Sequence, residues 1–175
     1  LGRLDKSLRV LRRIRKKRIP KNFLGRMCTA VGVGIVSYGS EMVRFTNKQF
    51  HSLRCAIASS LGLYKSGANT LLAIGATGLT VDPQVRLLRR RIKFFRKFFK
   101  IFPSRRQSFL HRITKHVSKN RVSGIAAHFH CAMRDVGWKC EDEGNIVHQA
   151  GIKCNWVHDS IPYIFQCLDK AWEAT

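Results

Sequence analysis

A chain of 175 residues with 45% hydrophobic content is long enough for one packed domain or a domain with a small appendage, and too apolar to be disordered by default. Its 33 Lys and Arg against 10 Asp and Glu, a formal charge of +23, exclude an ordinary balanced surface. Such an excess opposes compaction and asks for a polyanion: nucleic acid first, then an anionic membrane surface, then an acidic protein. No apolar run approaches the ~18 residues of a spanning helix. The six cysteines are scattered with no CxxC pair and no signal-peptide pattern precedes them, which reads as reduced, buried thiols in an intracellular compartment.

The charge is uneven. Residues 1–26 hold eleven Lys or Arg against Asp5 alone, and fourteen more lie between Arg86 and Arg121 with no acid among them. Residues 131–175 reverse the balance, with four cations against seven acids. A positive face without acids in its own segment is expected to look outward. The chain begins at Leu1 and stops at Thr175 soon after a helix pattern, which suggests a fragment of something longer.

In chain order, Leu4, Leu8, Leu11 and Ile14/Arg15 recur at helical steps over residues 3–18, and Pro20 ends that helix. Residues 22–38 predict a second helix with Phe23, Leu24, Met27, Cys28, Val31, Ile35 and Tyr38 on one face. Gly32 and Gly34 interrupt it, a sign of tight packing or a kink. Thr46-x-x-Gln49 is a capping box opening a helix through Phe50, Leu53, Ile57 and Leu61, which Gly62 stops. A short helix follows at 67–77. Asp82-Pro83 is the clearest helix start in the chain. The helix it opens sets Leu88, Ile92, Phe95, Phe99 and Phe102 on one stripe, widened by Phe94, Phe98 and Ile101.

Ser104-x-x-Gln107 opens the next helix, with Phe109, Leu110, Ile113 and Val117, and a further one covers 122–136. After Gly137 the pattern changes: residues 145–157 read as two short strands about Gln149-Ala150-Gly151. Ser160 with Pro162 starts a closing helix carrying Ile164, Phe165, Leu168 and Trp172. The expected fold is mainly α, a basic helical bundle over 1–121 followed by a small α+β segment over 122–175 with one β-hairpin.

The sharpest functional signal is the cationic side of the helix at 83–102, where Arg89, Lys93, Arg96, Lys97 and Lys100 stand opposite the phenylalanines. Cations spaced along one helix face match a nucleic-acid backbone. The phenylalanines are expected in the core, base stacking being the alternative. A membrane-surface helix shows the same amphipathic look. Arg12, Arg13, Arg15 and Lys16 form a second, denser nucleic-acid-binding cluster. His128, His130, Cys131, Cys140, His148, Cys154, His158 and Cys167 gather late, but only His128 and Cys131 have same-face spacing, so buried cysteines and surface histidines are expected and no metal or other cofactor. The consecutive Glu141-Asp142-Glu143 point apart in a turn, and no nucleophile elbow, phosphate loop or zinc-protease motif occurs, so no catalytic residues are assigned.

The order of these features resembles the region after the palm in non-LTR (LINE-type) retrotransposon reverse transcriptases. The resemblance rests on the basic leading helix, Ser37-Tyr38-Gly39-Ser40-Glu41, Leu53-Arg54 in a capped helix ending at Gly62, and Gly78 before Asp82-Pro83. Gly137-Trp138, the acidic turn, the hairpin and the helix with Trp172 are similar to the segment before the ribonuclease H domain in some protist elements. Members often place a proline before the Tyr-Gly, where this chain has Gly32-Val33-Gly34-Ile35. The resemblance implies a non-catalytic thumb/connection fragment that grips a template–primer duplex by its backbone and adjoins the palm domain of a parent RNA-directed DNA polymerase. It implies a nuclear working context and no small-molecule substrate. A membrane-surface protein and a small structural metal-binding module are the alternatives.

Overall fold

The computed structural model describes residues 2–17, 19–40, 43–63, 69–75, 82–115 and 124–174. It is mainly helical, with a small three-stranded antiparallel sheet toward the C terminus. None of the helices among the described residues is long and apolar enough to cross a membrane. Two compact units share the chain: Leu1–Ser40 with Phe45–Arg86, and Glu41–Arg44 with Leu87–Thr175. The sequence places the division near 119–123, where the basic run ends. Packing divides the chain at Arg86 instead, because from Leu87 onward the apolar side of one helix is committed to the C-terminal core.

In the first unit, α1 (Gly2–Arg15) buries Leu4, Ser7, Leu11 and Ile14 against its neighbours. The segment expected as one helix over 22–38 is three pieces: α2 (Lys21–Met27), a π-helical stretch Cys28–Val33, and α3 (Gly34–Ser37). The anticipated apolar face is buried only in part: Cys28 lies on it and is buried, and Leu24, Met27 and Ile35 are half-buried. Phe23, Val31 and Tyr38 are exposed, while Cys28, Gly32, Val33 and Val36 are buried. A π-turn closes i to i+5, so the inserted residue rotates everything after it, and Cys28 and Val33, five apart, share the inward side.

Gly32 carries the close approach. A Cβ there would lie 2.4 Å from Leu11 Cδ2. Its carbonyl accepts a 2.6 Å hydrogen bond from the buried Ser7 hydroxyl. A backbone group disturbed by the π-turn is thereby kept satisfied inside the core, where an unpaired carbonyl is costly.

Helix α4 (Asn47–Ser60) begins at the expected capping box: Thr46 N–H donates to Gln49 Oε1 at 2.8 Å and Gln49 N–H to Thr46 Oγ1 at 3.3 Å. It buries Phe50, Leu53 and Ile57, and Ser60 Oγ donates to the Leu11 carbonyl at 2.8 Å. Gly62, at φ +73, ends it in a conformation that suits glycine. Helix α5 (Thr70–Gly75) lies within the 67–77 expected, of which 67, 68, 76 and 77 lie outside the described residues.

Helix α6 (Pro83–Ile101) starts where Asp82-Pro83 predicts. Asp82 Oδ1 accepts from the backbone N–H of Gln84 at 2.8 Å and of Val85 at 3.2 Å. In the second unit its inner side joins α7 (Ser104–Lys115), α8 (Ile125–Arg134) and α9 (Ile161–Glu173) with the sheet. Phe95 meets Phe109 at 4.5 Å and Phe129 at 5.3 Å, and Phe129 meets Trp156 at 4.8 Å. The phenylalanine stripe is core as expected at Phe95 and Phe99; Phe102, at its end, is half exposed.

The sheet has order β1-β2-β3: β1 (Trp138–Cys140), β2 (Asn145–His148) and β3 (Lys153–Asn155). The β2–β3 hairpin is the one expected, pairing Ile146 with Cys154. Strand β1 was not anticipated; its three residues are too short to show a period, and it is recruited by pairing Lys139 with Val147. Helix α9 is capped by Ser160 Oγ, which accepts from Tyr163 N–H at 3.3 Å, with proline in the first turn.

Candidate nucleic-acid interface

The cationic side of α6 divides into two classes. Arg90, Lys93, Lys97 and Lys100 are exposed at steps of three and four residues, one above the other along the helix. From first to last they are ten residue steps apart, about 15 Å at the α-helical rise. Lys97 and Lys100 have no ion-pair partner among the described residues. Lys93 keeps its ammonium 5.0 Å from the centre of the Phe165 ring.

Arg89 and Arg96, expected on the same outward face, are instead half-buried and engaged with the rest of the second unit. The Arg89 guanidinium pairs with Asp169 of α9 and stands 4.9 Å from the Phe165 ring centre. Arg96 donates to the Asp159 carbonyl and, at 3.5 Å, to the Trp156 carbonyl. The face therefore does not lack internal partners. Its one acidic partner, Asp169, and the carbonyls of Trp156 and Asp159 come from the acidic C-terminal segment, which a charge count along residues 86–121 cannot see. Arg91 is 3% exposed and donates to the Val43 carbonyl.

The ridge that sequence reasoning did not name in full is completed by Arg90. A helical wheel centred on Leu88, Ile92, Phe95 and Phe99 finds it, because the opposite side is 90, 93, 97 and 100, with 89 and 96 on the flank. Like charges at i, i+3 and i+4 cost about 0.2–0.5 kcal/mol per pair, about 1 kcal/mol along the ridge. Burial of each large apolar side chain behind it contributes about 1.5–3 kcal/mol. The core wins easily, so the ridge stands without a polyanion to neutralise it.

In the first unit, Arg12, Arg13, Arg15 and Lys16 are all exposed. Arg12, Arg13 and Arg15 occupy the last turn of α1, where cations complement the carbonyl end of the helix. At the opposite end of α1, Arg3 lies 4.4 Å from the centre of the Tyr38 ring and donates to the Tyr38 carbonyl, holding the Tyr38-Gly39 turn, in which Gly39 has φ +71.

Among the described residues, no three His, Cys, Asp or Glu side chains are grouped closely enough to hold a metal ion. Cys28, Cys131, Cys140, Cys154 and Cys167 are buried as expected, but Cys55 is only partly covered. His130 and His148 are buried rather than at the surface, at 7% and 2% exposure. Each sits on the inner side of its element, where helix α8 and the alternation of β2 carry it. Burial pushes the Cys140 thiol up to about 12, and burial followed by the neighbouring Cys167 pushes Cys154 to about 12. Both stay protonated and unreactive near neutral pH. The acidic turn Glu141-Asp142-Glu143 is solvent-exposed. Compared with protein-family models, curated proteins and solved structures, the chain shows no match.

Proposed function

We propose that this chain binds nucleic acid through the sugar–phosphate backbone, with the α6 ridge as its principal contact and the Arg12, Arg13, Arg15, Lys16 cluster as a second one. The observation that carries this reading is the ridge itself: four exposed cations on consecutive turns of a helix that contains no acid. Point charges at such spacing neutralise phosphates without reading bases, which yields sequence-independent binding.

The motif order summarised by Tyr38-Gly39, Arg54 and Asp82-Pro83 supports a more specific form of the reading. In it, the chain is the thumb/connection part of a retrotransposon reverse transcriptase-like protein, non-catalytic by itself, gripping a template–primer duplex beside a palm domain in the nucleus. A membrane-surface role fits less well. An interfacial helix needs its apolar face free, and α6 spends that face on the core, with Ile92 at 0% and Phe95 at 2% exposure.

Titrating a primer–template duplex at several salt concentrations tests the proposal. Four neutralised phosphates give a log–log slope of about −3.6 on B-form duplex. A flat response, or tighter binding to anionic liposomes than to duplex at equal ionic strength, would overturn it.

A further inference from the structure

The second unit contains a cavity of about 300 Å³ between α6, α7 and α8. Its walls are the rings of Phe94, Phe98 and Phe109, with Ile125 from α8. Phe94 and Phe98 lie nearly parallel, 16° between planes with centroids 6.5 Å apart. Arg105 and Arg112 contribute to the same lining. They are seven residues apart on α7, two turns on one face, so both border the cavity from one side. Both are exposed, and neither guanidinium has a hydrogen-bond or ion-pair partner among the described residues. On α6, Lys97 is the i+3 neighbour of Phe94, so the ridge runs beside the aromatic wall.

We infer that this cavity takes one unpaired nucleobase of a bound strand, stacked among the phenylalanine rings, while Arg105 and Arg112 hold the adjoining phosphates. The inference rests on the nucleic-acid reading above and adds a second mode to it. Cations at an aromatic pocket select a ligand that is both flat and anionic on its flank, which describes a nucleotide within a strand. The volume lies at the small end of ligand pockets, about 300 Å³ against an upper range near 1,000 Å³. That is room for one heterocycle rather than a folded peptide segment. A base turned out of a helix or an overhanging end loses its stacking in water and regains it here.

The test compares three fluorescent duplexes with the full chain: blunt, with a one-nucleotide overhang, and with an abasic overhang of the same charge. Base stacking on aromatic side chains corresponds to roughly a 5- to 150-fold gain in affinity. The overhang carrying a base is expected to bind at least about 5-fold tighter than its abasic counterpart. Phe98→Leu, which keeps the position apolar and removes the ring, should abolish that gain and leave blunt-duplex affinity unchanged. Thermal unfolding of the variant verifies that it folds, and Arg105→Gln with Arg112→Gln gives a second, surface-only variant expected to weaken the base-bearing and abasic overhangs alike while leaving the base-dependent gain.

Equal affinity for base and abasic overhangs overturns the inference while salt-dependent binding of the blunt duplex leaves the backbone reading standing. Loss of salt dependence on the blunt duplex overturns the backbone reading itself. A base-dependent gain that survives Phe98→Leu places the base elsewhere and also overturns the inference. So does saturable binding of dodecanoate without any base-dependent gain, which would identify an amphiphile site.

Discussion

Arg54, on α4, reaches the residue that caps α6: its Nε donates to Asp82 Oδ2 at 2.6 Å and its Nη2 to Asp82 Oδ1 at 3.2 Å. The same Nη2 donates to Gln84 Oε1 at 2.7 Å. Asp82 is 2% exposed, so one carboxylate both satisfies two orphan N–H groups of α6 and neutralises a guanidinium out of water. Removing one member of such a pair strands a buried charge, at a cost of about 3–5 kcal/mol. Asp82→Ala is therefore expected to lower stability in urea unfolding by that amount, and Arg54→Met with Asp82→Asn together by less than the sum of the two single changes. Additive losses would mean that the two side chains act independently.

The two classes of cation on α6 should separate in experiment. Lys93→Ala, Lys97→Ala and Lys100→Ala combined are expected to reduce the salt slope of duplex binding by about 3, one per lysine, with unchanged circular dichroism. Arg89→Ala should instead leave the slope nearly constant and lower stability by about 1 kcal/mol, since its ion pair with Asp169 is only partly shielded. The reverse pattern would show that the half-buried arginines, not the ridge, contact phosphate.

Gly32 and Gly34 are two residues apart and should respond to alanine with opposite signs. At Gly32 the new Cβ meets Leu11 Cδ2 at 2.4 Å and Cγ at 2.8 Å, and Leu11 is fully buried, so the side chain has nowhere to move. Overpacking costs about 1–3 kcal/mol. At Gly34 nothing lies within 4 Å of the added carbon. There alanine is expected to stabilise by about 0.5–1 kcal/mol through helix propensity. Thermal melts of the two variants check both signs at once.

Of the six thiols, Cys55 should react first with an aromatic disulfide reagent at pH 8. It is only partly covered, with Sγ 3.4 Å from His51 Nε2, whereas the other five are buried. Cys55→Ser is expected to remove the fast phase. Five slow thiols should then react at the rate of unfolding, and any second fast thiol would contradict the burial.

Alkali should unfold the protein through the same buried thiols. Cys140 and Cys154 hold their protons to about pH 12 when folded, against about 8.5 for an unfolded cysteine. Between those values only the unfolded chain has lost the proton, so stability is complete below pH 8 and falls as pH rises. One such cysteine removes at most about 2 kcal/mol between pH 8 and 10. Cys140→Val should flatten the pH dependence of denaturation by up to that amount, and an unchanged slope would show that other groups dominate.

What the sequence determined by itself was local. The Thr46–Gln49 capping box, the Asp82-Pro83 start of α6, the β2–β3 hairpin and the mainly helical class are each encoded in a few neighbouring residues, through hydrogen bonds of short range and a period of 3.6 or 2. Tertiary structure decided the rest. One inserted residue in the π-turn at Cys28–Val33 rotated the inward face of a whole segment, an effect with no signature in apolar spacing. The partners of Arg89 and Arg96 lie some 60 to 80 residues away along the chain, so only folding could tell which cations of α6 are half-buried and which form the exposed ridge. The domain division moved for the same reason, because charge marks where a run of residues ends and packing marks where a core ends.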